Sequence, residues 1–272
     1  MTLLRKISLY IFQAGKGLAP EQWFQTEAIS LDRRMITLQR LYYIKGGRGE
    51  MILPDGERLP FVPGNIYVYP YNLPQRFVTD AHDRIDHIYF DFISTPPVIA
   101  DRPIVYPVMS GSPVSHMVAL LDSLLIERDG GGYTPAMRIR PVADTPSGSE
   151  EEYRQTLYQL LYTLLTLLSH ERELPFMSDE VIVSSLEYIR EHDGERISVA
   201  ELASRAGFEL NYFIRRFKRA MGITPYAYMR ACRLLRAGEL ISGGSSVMAA
   251  AEETGYENAS SLSRAMRGLR GE

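Results

Sequence analysis

Two stretches near the end of the chain share one pattern of apolar and polar positions. The first runs from Ser198 to Lys218 and the second from Ser246 to Arg267. In each, a serine precedes a short apolar repeat of helical spacing, a glycine follows, and a second amphipathic segment comes next. The two copies align without a gap from the serine to the second residue after the glycine. Beyond that point the second copy carries one inserted residue. Each copy therefore predicts a helix, a glycine-containing turn and a second helix.

The second helix of each copy is predicted to have a buried face and a polar face. In the first copy the apolar positions expected to be buried are Leu210, Phe213, Ile214 and Phe217. The opposite face carries Asn211, Arg215 and Lys218. In the second copy the inward positions are Leu262, Met266 and Leu269, and the outward positions are Ser260, Arg264 and Arg267. Amide and guanidinium groups read base edges, and cations hold phosphates, so these faces predict contacts with nucleic acid.

Residues 1–108 show a different pattern, with short segments rich in Tyr, Val, Ile and Phe between turn signals. Turns are predicted at Gly46–Gly47, Pro54–Gly56 and Pro63–Asn65. Strands at such spacing are typical of a β-sandwich or small β-barrel, which can enclose one small ligand. The predicted fold class is therefore α+β and multidomain, with an N-terminal barrel or sandwich followed by helices and an all-α double helix-turn-helix domain.

Further helices are predicted outside the two copies, at about 112–128, 150–173, 179–191 and 225–241. Residues 129–148 are rich in Gly, Pro and Ser without periodicity and predict a mobile loop. The predicted domains are 1–108 for ligand binding, 109–174 as a helical dimerisation or linker region, and 175–272 for DNA binding. The leucine stripe of 150–173 is compatible with packing inside its own domain or with the seam of a homodimer.

Composition adds limits to this picture. The chain has 272 residues, 45% of them hydrophobic and 23% charged, which is typical of a soluble globular protein. Its net charge of −3 alone counts against a nucleic-acid binder, yet 210–238 holds seven basic residues and no acidic one. One cysteine, no signal-peptide pattern and no apolar run of bilayer length predict a cytoplasmic protein without membrane contact.

The C-terminal part resembles the DNA-binding half of the AraC/XylS family of bacterial transcription regulators. The first copy matches in G-F-x-x-x-Y-F-x-R-x-F-K, Gly207 to Lys218, and the second in G-Y-E-N-A-S-S-L-S-R-A-M-R, Gly255 to Arg267. The intervening M-G-I-T-P-Y-A-Y-M, Met221 to Met229, also matches. The N-terminal part resembles, less sharply, the cupin-like effector domain of the same family in L-Y-Y-I-K-G-G-R-G, Leu41 to Gly49.

This resemblance implies two reading helices that enter successive major grooves of double-stranded DNA, about 34 Å apart. The base-reading or phosphate-binding positions it implies are Asn211, Ile214, Arg215, Lys218, Ala259, Ser260, Ser263, Arg264 and Arg267. Ile214 and Ala259 have no hydrogen-bonding group, so they are limited to apolar contact with a base. The family continues where this sequence stops, at Glu272, so Arg215 is expected to matter more than Arg264.

Aromatic side chains of the N-terminal part predict an effector pocket. The candidate effector-binding residues are Trp23, Arg40, Tyr42, Tyr67, Tyr69 and Tyr89. Flat rings with polar tips suit a sugar or an aromatic molecule, and Arg40 suits an anionic group. The alternative interpretation is that most of these tyrosines serve strand packing or an interface.

The predicted function is that of an effector-switched, sequence-specific transcription regulator, with RNA polymerase as a candidate partner. One alternative is a metal-dependent cupin enzyme, which the lack of an H-x-H pair among the five histidines disfavours. His82 and His87 are instead expected at the surface or in loops. Another alternative is an adaptor that no longer contacts DNA. No catalytic residue, metal or cofactor is predicted.

Overall fold

The computed structural model describes residues 7–19, 39–71, 73, 76–127, 150–192, 195, 197–242 and 244–270. Trp23 and the whole of the predicted loop 129–148 lie outside the described residues. The chain forms two compact units, and within the described residues their boundary falls between Phe176 and Met177. A β-rich first unit followed by an all-helical second unit confirms the predicted fold class.

The strands described in the first unit form two antiparallel sheets. Their bounds are β1 Ser8–Leu18, β2 Gln39–Gly46, β3 Gly49–Ile52, β4 Arg58–Pro60, β5 Asn65–Tyr69, β6 Arg76–Thr79, β7 Asp86–Thr95 and β8 Ile104–Pro107. The larger sheet has the order β1-β7-β2-β5-β8 and the smaller one the order β4-β3-β6. The long edge strand β1, which pairs antiparallel with β7, is not among the elements predicted from the sequence.

The larger sheet has an apolar cluster on each face because side chains alternate along its strands. On one face, Leu41 and Phe90 pack in a cluster that also contains residues of the first two helices. On the other face, Tyr42 of β2 packs in a second cluster with Met51 of β3 and Phe77 of β6. The first unit therefore has three layers: helices, the larger sheet and the smaller sheet. The second cluster, between the two sheets, is called the sheet interior below.

The helices of the first unit are α1 Pro113–Leu124 and α2 Glu150–Glu171. Five leucines of α2 are at most 1% exposed, namely Leu157, Leu161, Leu164, Leu165 and Leu168. They belong to the same cluster as the larger sheet, so this stripe packs within its own unit. The homodimer stays a prediction, as does the division at residues 108 and 174. Within the described residues, no helix is both long and apolar enough to cross a membrane.

The second unit consists of helices in its described part. Their bounds are α3 Glu180–Glu191, α4 Val199–Arg205, α5 Leu210–Met221, α6 Pro225–Ser242, α7 Val247–Glu253 and α8 Ala259–Arg270. Helix α3 begins after Asp179, whose carboxylate accepts a hydrogen bond from the Ile182 amide. Helix α6 joins the two helix pairs α4–α5 and α7–α8. These elements confirm the helices predicted from the duplicated pattern.

Candidate nucleic-acid interface and sheet interior

The duplicated sequence folds into two copies of one local structure. Helices α4 and α7 both have 7 residues, and α5 and α8 both have 12. The hydroxyls of Ser198 and Ser246 each accept a hydrogen bond from the amide three residues later, so both first helices have the same N-cap. The sequence similarity between the copies therefore reflects a repeated helix-turn-helix structure.

A glycine makes the turn after each first helix. Gly207 has a φ of 72° and Gly255 a φ of 71°, in the left-handed region that side chains disfavour. The next amide, of Phe208 or Tyr256, then donates to a carbonyl five residues earlier, with N–O distances of 2.9 Å and 2.8 Å. This closes the helix and directs the chain into the second helix of the pair. The prediction that Gly207 ends its helix is confirmed.

Helix α5 buries one face and exposes the other. Phe213 and Phe217 are completely buried, whereas Asn211, Arg215 and Lys218 are exposed. The polar face predicted for DNA contacts is therefore accessible. Ile214 is half-buried at the edge of that face.

One predicted core position of α5 is wrong, because Leu210 is 39% exposed. It is the first residue of the helix, and the buried residues of α5 begin one turn later, at Phe213.

Helix α8 repeats this arrangement. Leu262 is completely buried, and the exposed positions are Ser260, Arg264 and Arg267. Ala259 and Ser263 are half-buried. Both helices thus present arginine at the matching position, Arg215 in α5 and Arg264 in α8, as the sequence predicts.

The inserted residue of the second copy changes how its second helix begins. In the first copy, the carboxylate of Glu209 accepts hydrogen bonds from the amides of Asn211 and Tyr212, which lowers its pKa. In the second copy, the side chain of Asn258 accepts from the Ser261 amide at 2.8 Å. The insertion therefore passes the capping role from glutamate to asparagine. Glu257, the counterpart of Glu209, is left exposed without this role.

The effector candidates that the structure describes lie on the face of the larger sheet that borders the sheet interior. Strand register places Gln13, Asp91, Arg40 and Tyr69 side by side across β1, β7, β2 and β5. In the next row, Tyr42 lies between Tyr89 and Tyr67. These side chains lie on one face of the sheet because side chains alternate between the two faces along each strand. The sequence analysis does not name Asp91 or Gln13 as candidates. A charged residue within a hydrophobic strand, as Asp91 is, is a signal that could have identified this row.

Aromatic rings fill much of the sheet interior. The centroids of Tyr42 and Tyr69 are 5.5 Å apart, and that of Phe77 lies 5.7 Å and 5.6 Å from them, all edge to face. Tyr42, Tyr67 and Tyr69 are at most 4% exposed. Such contacts stabilise a core. Packing, which was the alternative role for these tyrosines, is therefore part of what they do.

A buried ion pair lies in the polar row. The Nε of Arg40 is 3.0 Å from the Oδ1 of Asp91, and both side chains are 7% exposed. Burial raises the pKa of Asp91, and the Arg40 guanidinium offsets this shift in part. Beside the pair, the buried hydroxyl of Tyr69 forms no hydrogen bond within the described part of the chain. Arg40 therefore already has an anionic partner in the protein, so no charge of an effector is needed to balance it. Its role as an effector-binding residue stays a prediction.

His87 is also in the sheet interior. It is 4% exposed, its Nδ1 lies 3.0 Å from the Gly17 carbonyl, and burial lowers its pKa to about 4. The expectation of a surface or loop position is therefore wrong for His87, because the β7 alternation turns it inward. His82 lies in an exposed turn, as expected. Among the described residues, no group of three or more His, Cys, Asp or Glu is arranged to hold a metal ion.

Residues 198–272 match the family model described as "Helix-turn-helix domain". The chain is 31% identical over 115 residues to the uncharacterized HTH-type transcriptional regulator YbfI of Bacillus subtilis (strain 168), covering 42% of this chain and 40% of YbfI. It is 32% identical over 96 residues to an AraC-like transcription regulator of Streptomyces antibioticus, covering 35% of this chain and 32% of that protein. The matched segment thus spans two fifths or less of these relatives.

The fold is similar to that of a solved structure over nearly the whole length of the chain. Unsaturated fatty acid-bound wild-type ToxT from Vibrio cholerae strain SCE256 has a TM-score of 0.50 and 8% sequence identity, covering 97% of this chain and 91% of ToxT. At this identity the likeness concerns the fold alone. The duplicated geometry and the family match agree that residues 198–272 are a helix-turn-helix domain, and this part of the chain is similar in sequence to an AraC-like transcription regulator.

Proposed function

We propose that this protein is a sequence-specific DNA-binding transcription regulator controlled by a small molecule. The observation that carries the proposal is the exposure of Arg215 and Arg264 at matching positions of α5 and α8, each opposite a completely buried residue. An exposed guanidinium on such a helix forms bidentate contacts with guanine in the major groove. Two such helices on one chain read two segments of DNA about one helical turn apart.

Selection of bound sequences from a pool of random duplexes tests this proposal. We expect the full chain to enrich a site with two conserved segments spaced by about one helical turn. The Arg215→Ala variant, selected in parallel, is the matched control and is expected to lose one conserved position. Absence of any enrichment at low salt contradicts the proposal and favours the adaptor alternative. A homodimer and a contact with RNA polymerase stay predictions.

The sheet interior is the proposed effector site. The hydroxyl of Tyr69 is buried without a hydrogen-bond partner in the described part of the chain, and such a group costs stability until a ligand or water bonds it. Because Asp91 already balances the charge of Arg40, we expect a neutral effector with a hydroxyl or amide group. This expectation departs from the fatty acid bound by ToxT.

A thermal-shift comparison of matched neutral and anionic probes tests the effector proposal. Benzyl alcohol and benzoate form one pair, and an aldose and its aldonate form another. We expect stabilisation by neutral members and none by their carboxylates, with the effect weakened in Tyr69→Phe. Stabilisation by the carboxylates alone, unaffected by this substitution, contradicts the assignment.

A further inference from the structure

A cleft in the second unit lies between the two helix pairs. It has a volume of about 470 Å³ and is bordered by Ser198 before α4, by Arg230 and Arg233 of α6, and by Tyr256 and Ser261 at the start of α8. None of these residues belongs to the faces of α5 or α8 described above. The cleft thus joins parts of both helix pairs to the helix that connects them.

Two guanidiniums dominate the electrostatics of this cleft. Arg230, Arg233 and Tyr256 border the same cleft. Burial raises the pKa of Tyr256, while the charge and a hydrogen bond of Arg230 and the charge of Arg233 act to lower it. The side chain of Arg233 is held by long contacts of 3.5 Å to the carbonyls of Glu195 and Ile197. Arg230 is exposed, whereas Arg233 is half-buried. Arg230, the more exposed of the two cations, therefore borders the cleft with its guanidinium accessible to a ligand.

We propose that this cleft binds a phosphate of the DNA backbone between the two segments read by α5 and α8. The inference rests on the proposed DNA-binding function and adds a contact to it. The cleft opens beside the N-terminus of α8, which in helix-turn-helix complexes lies at the DNA and favours negative charge. Guanidinium groups are the preferred phosphate ligands, and they fix the position of a protein on DNA without reading sequence.

Glu257 provides an internal contrast. Its carboxylate borders the same cleft and, unlike Glu209, does not cap a helix. A negative charge here opposes phosphate binding, so its removal is expected to strengthen DNA binding. Removal of the Glu257 carboxylate and removal of the Arg230 guanidinium are thus expected to have opposite effects on the affinity for DNA.

Binding of the full chain to a random-sequence 30-base-pair duplex, measured at several salt concentrations, tests the inference. We expect Arg230→Ala to weaken binding about tenfold and to reduce the salt slope by about 0.9, the value for one phosphate contact. Arg230→Lys is expected to retain most of the slope, and Glu257→Gln to raise affinity. Arg190→Ala, at an exposed arginine of α3 outside the cleft, is the matched control and is expected to leave the slope unchanged.

The outcomes separate this inference from the proposed function. If Arg215→Ala alters binding to a selected site while Arg230→Ala and Glu257→Gln leave affinity and slope unchanged on both duplexes, the phosphate contact is wrong and DNA binding stands. In that case a partner protein with an acidic segment is the alternative occupant. If the unsubstituted chain binds neither duplex, the proposed function fails and the inference fails with it.

Discussion

Arg216 of α5 forms a two-pronged ion pair with Asp179, the N-cap residue of α3. The Nε of Arg216 lies 3.1 Å from Oδ2, and its Nη2 lies 2.9 Å from Oδ1. The same guanidinium lies over the ring of Phe208 at 5.2 Å from its centroid. One side chain on the inner edge of α5 thus connects that helix to α3 and to the preceding turn, while Arg215 beside it faces solvent.

Substitution of Asp179 separates its two roles. Asp179→Ala removes the cap and the ion pair, and we expect it to lower the free energy of unfolding by roughly 1–2 kcal/mol. Asp179→Asn keeps a good capping group and is expected to cost less than about 1 kcal/mol, since the pair is partly exposed. Urea unfolding followed by circular dichroism measures both. Equal losses for the two variants contradict the assigned capping role.

The same carboxyl group predicts a dependence on pH. Burial acts to raise the pKa of Asp179, but the hydrogen bonds from Arg216 and the Ile182 amide outweigh it, and the pKa is lowered. A depressed pKa gives stability that is present above the unfolded value of about 3.9 and is lost as the pH falls through the folded value. The stability difference between wild type and Asp179→Asn is therefore expected at pH 7 and absent near pH 2. A difference of equal size at both values contradicts the ion pair as its source.

Arg215 and Lys218 lie on the same exposed face of α5 and are expected to act differently. Arg215→Ala is expected to cost about 1–3 kcal/mol of discrimination at one base position. Lys218→Ala is expected to weaken all sequences alike and to reduce the salt slope by about 1. Titration of a selected duplex and of a duplex changed at single positions distinguishes the two effects. An Arg215→Ala variant with unchanged sequence preference contradicts its role.

Tyr67 and Tyr69 offer a matched pair of tyrosines two residues apart on β5. The Tyr67 hydroxyl accepts from the Val62 amide at 2.8 Å and donates to the Pro60 carbonyl at 3.0 Å. Tyr67→Phe is therefore expected to destabilise the protein by about 1 kcal/mol. Tyr69→Phe removes a hydroxyl without such bonds, and we expect a change within about 0.5 kcal/mol or a gain in stability. Thermal unfolding without ligand compares them, and a larger loss in Tyr69→Phe contradicts the assignment.

The Arg40–Asp91 pair is expected to show strong coupling. Either Arg40→Met or Asp91→Leu leaves an uncompensated buried charge and is expected to cost about 3–5 kcal/mol. The double variant removes both charges and is expected to be nearer to wild type than either single variant. Denaturant titration of all four proteins gives the coupling energy. Additive losses contradict a direct pair.

The second unit was the more predictable part of the chain because its signals are local. Serine caps, the glycine turns and the 3.6-residue stripe lie within about twenty residues of one another, and the observed bounds of α4 and α5 follow them. The error at Leu210 arose at the start of a helix, because the spacing of apolar residues does not tell how deeply the first turn is buried.

The sheet interior was predictable in composition but not in arrangement. The tyrosines are recognised from the sequence, whereas Asp91 is missed and His87 is wrongly expected at the surface or in a loop. The neighbours of both residues come from strands far along the chain. Pairing of β7 with β1 and β2 brings Gln13 and Arg40 to either side of Asp91. Periodicity along one strand states which residues share a face, whereas register between strands states which of them touch.

Helix α6 has 18 residues without a break in its assignment, which corresponds to about 27 Å along its axis. A continuous helix of this length stretches little, so the proposed function implies that the protein, and not the nucleic acid, sets the separation of α5 and α8. Insertion of one base pair between the halves of a target moves them apart by about 3.4 Å and rotates them by roughly 36°. A target whose two segments are moved apart by half a helical turn is therefore expected to bind only one of the two helix pairs. Tolerance of variable spacing is instead expected of regulators whose DNA-binding parts are joined by a flexible linker.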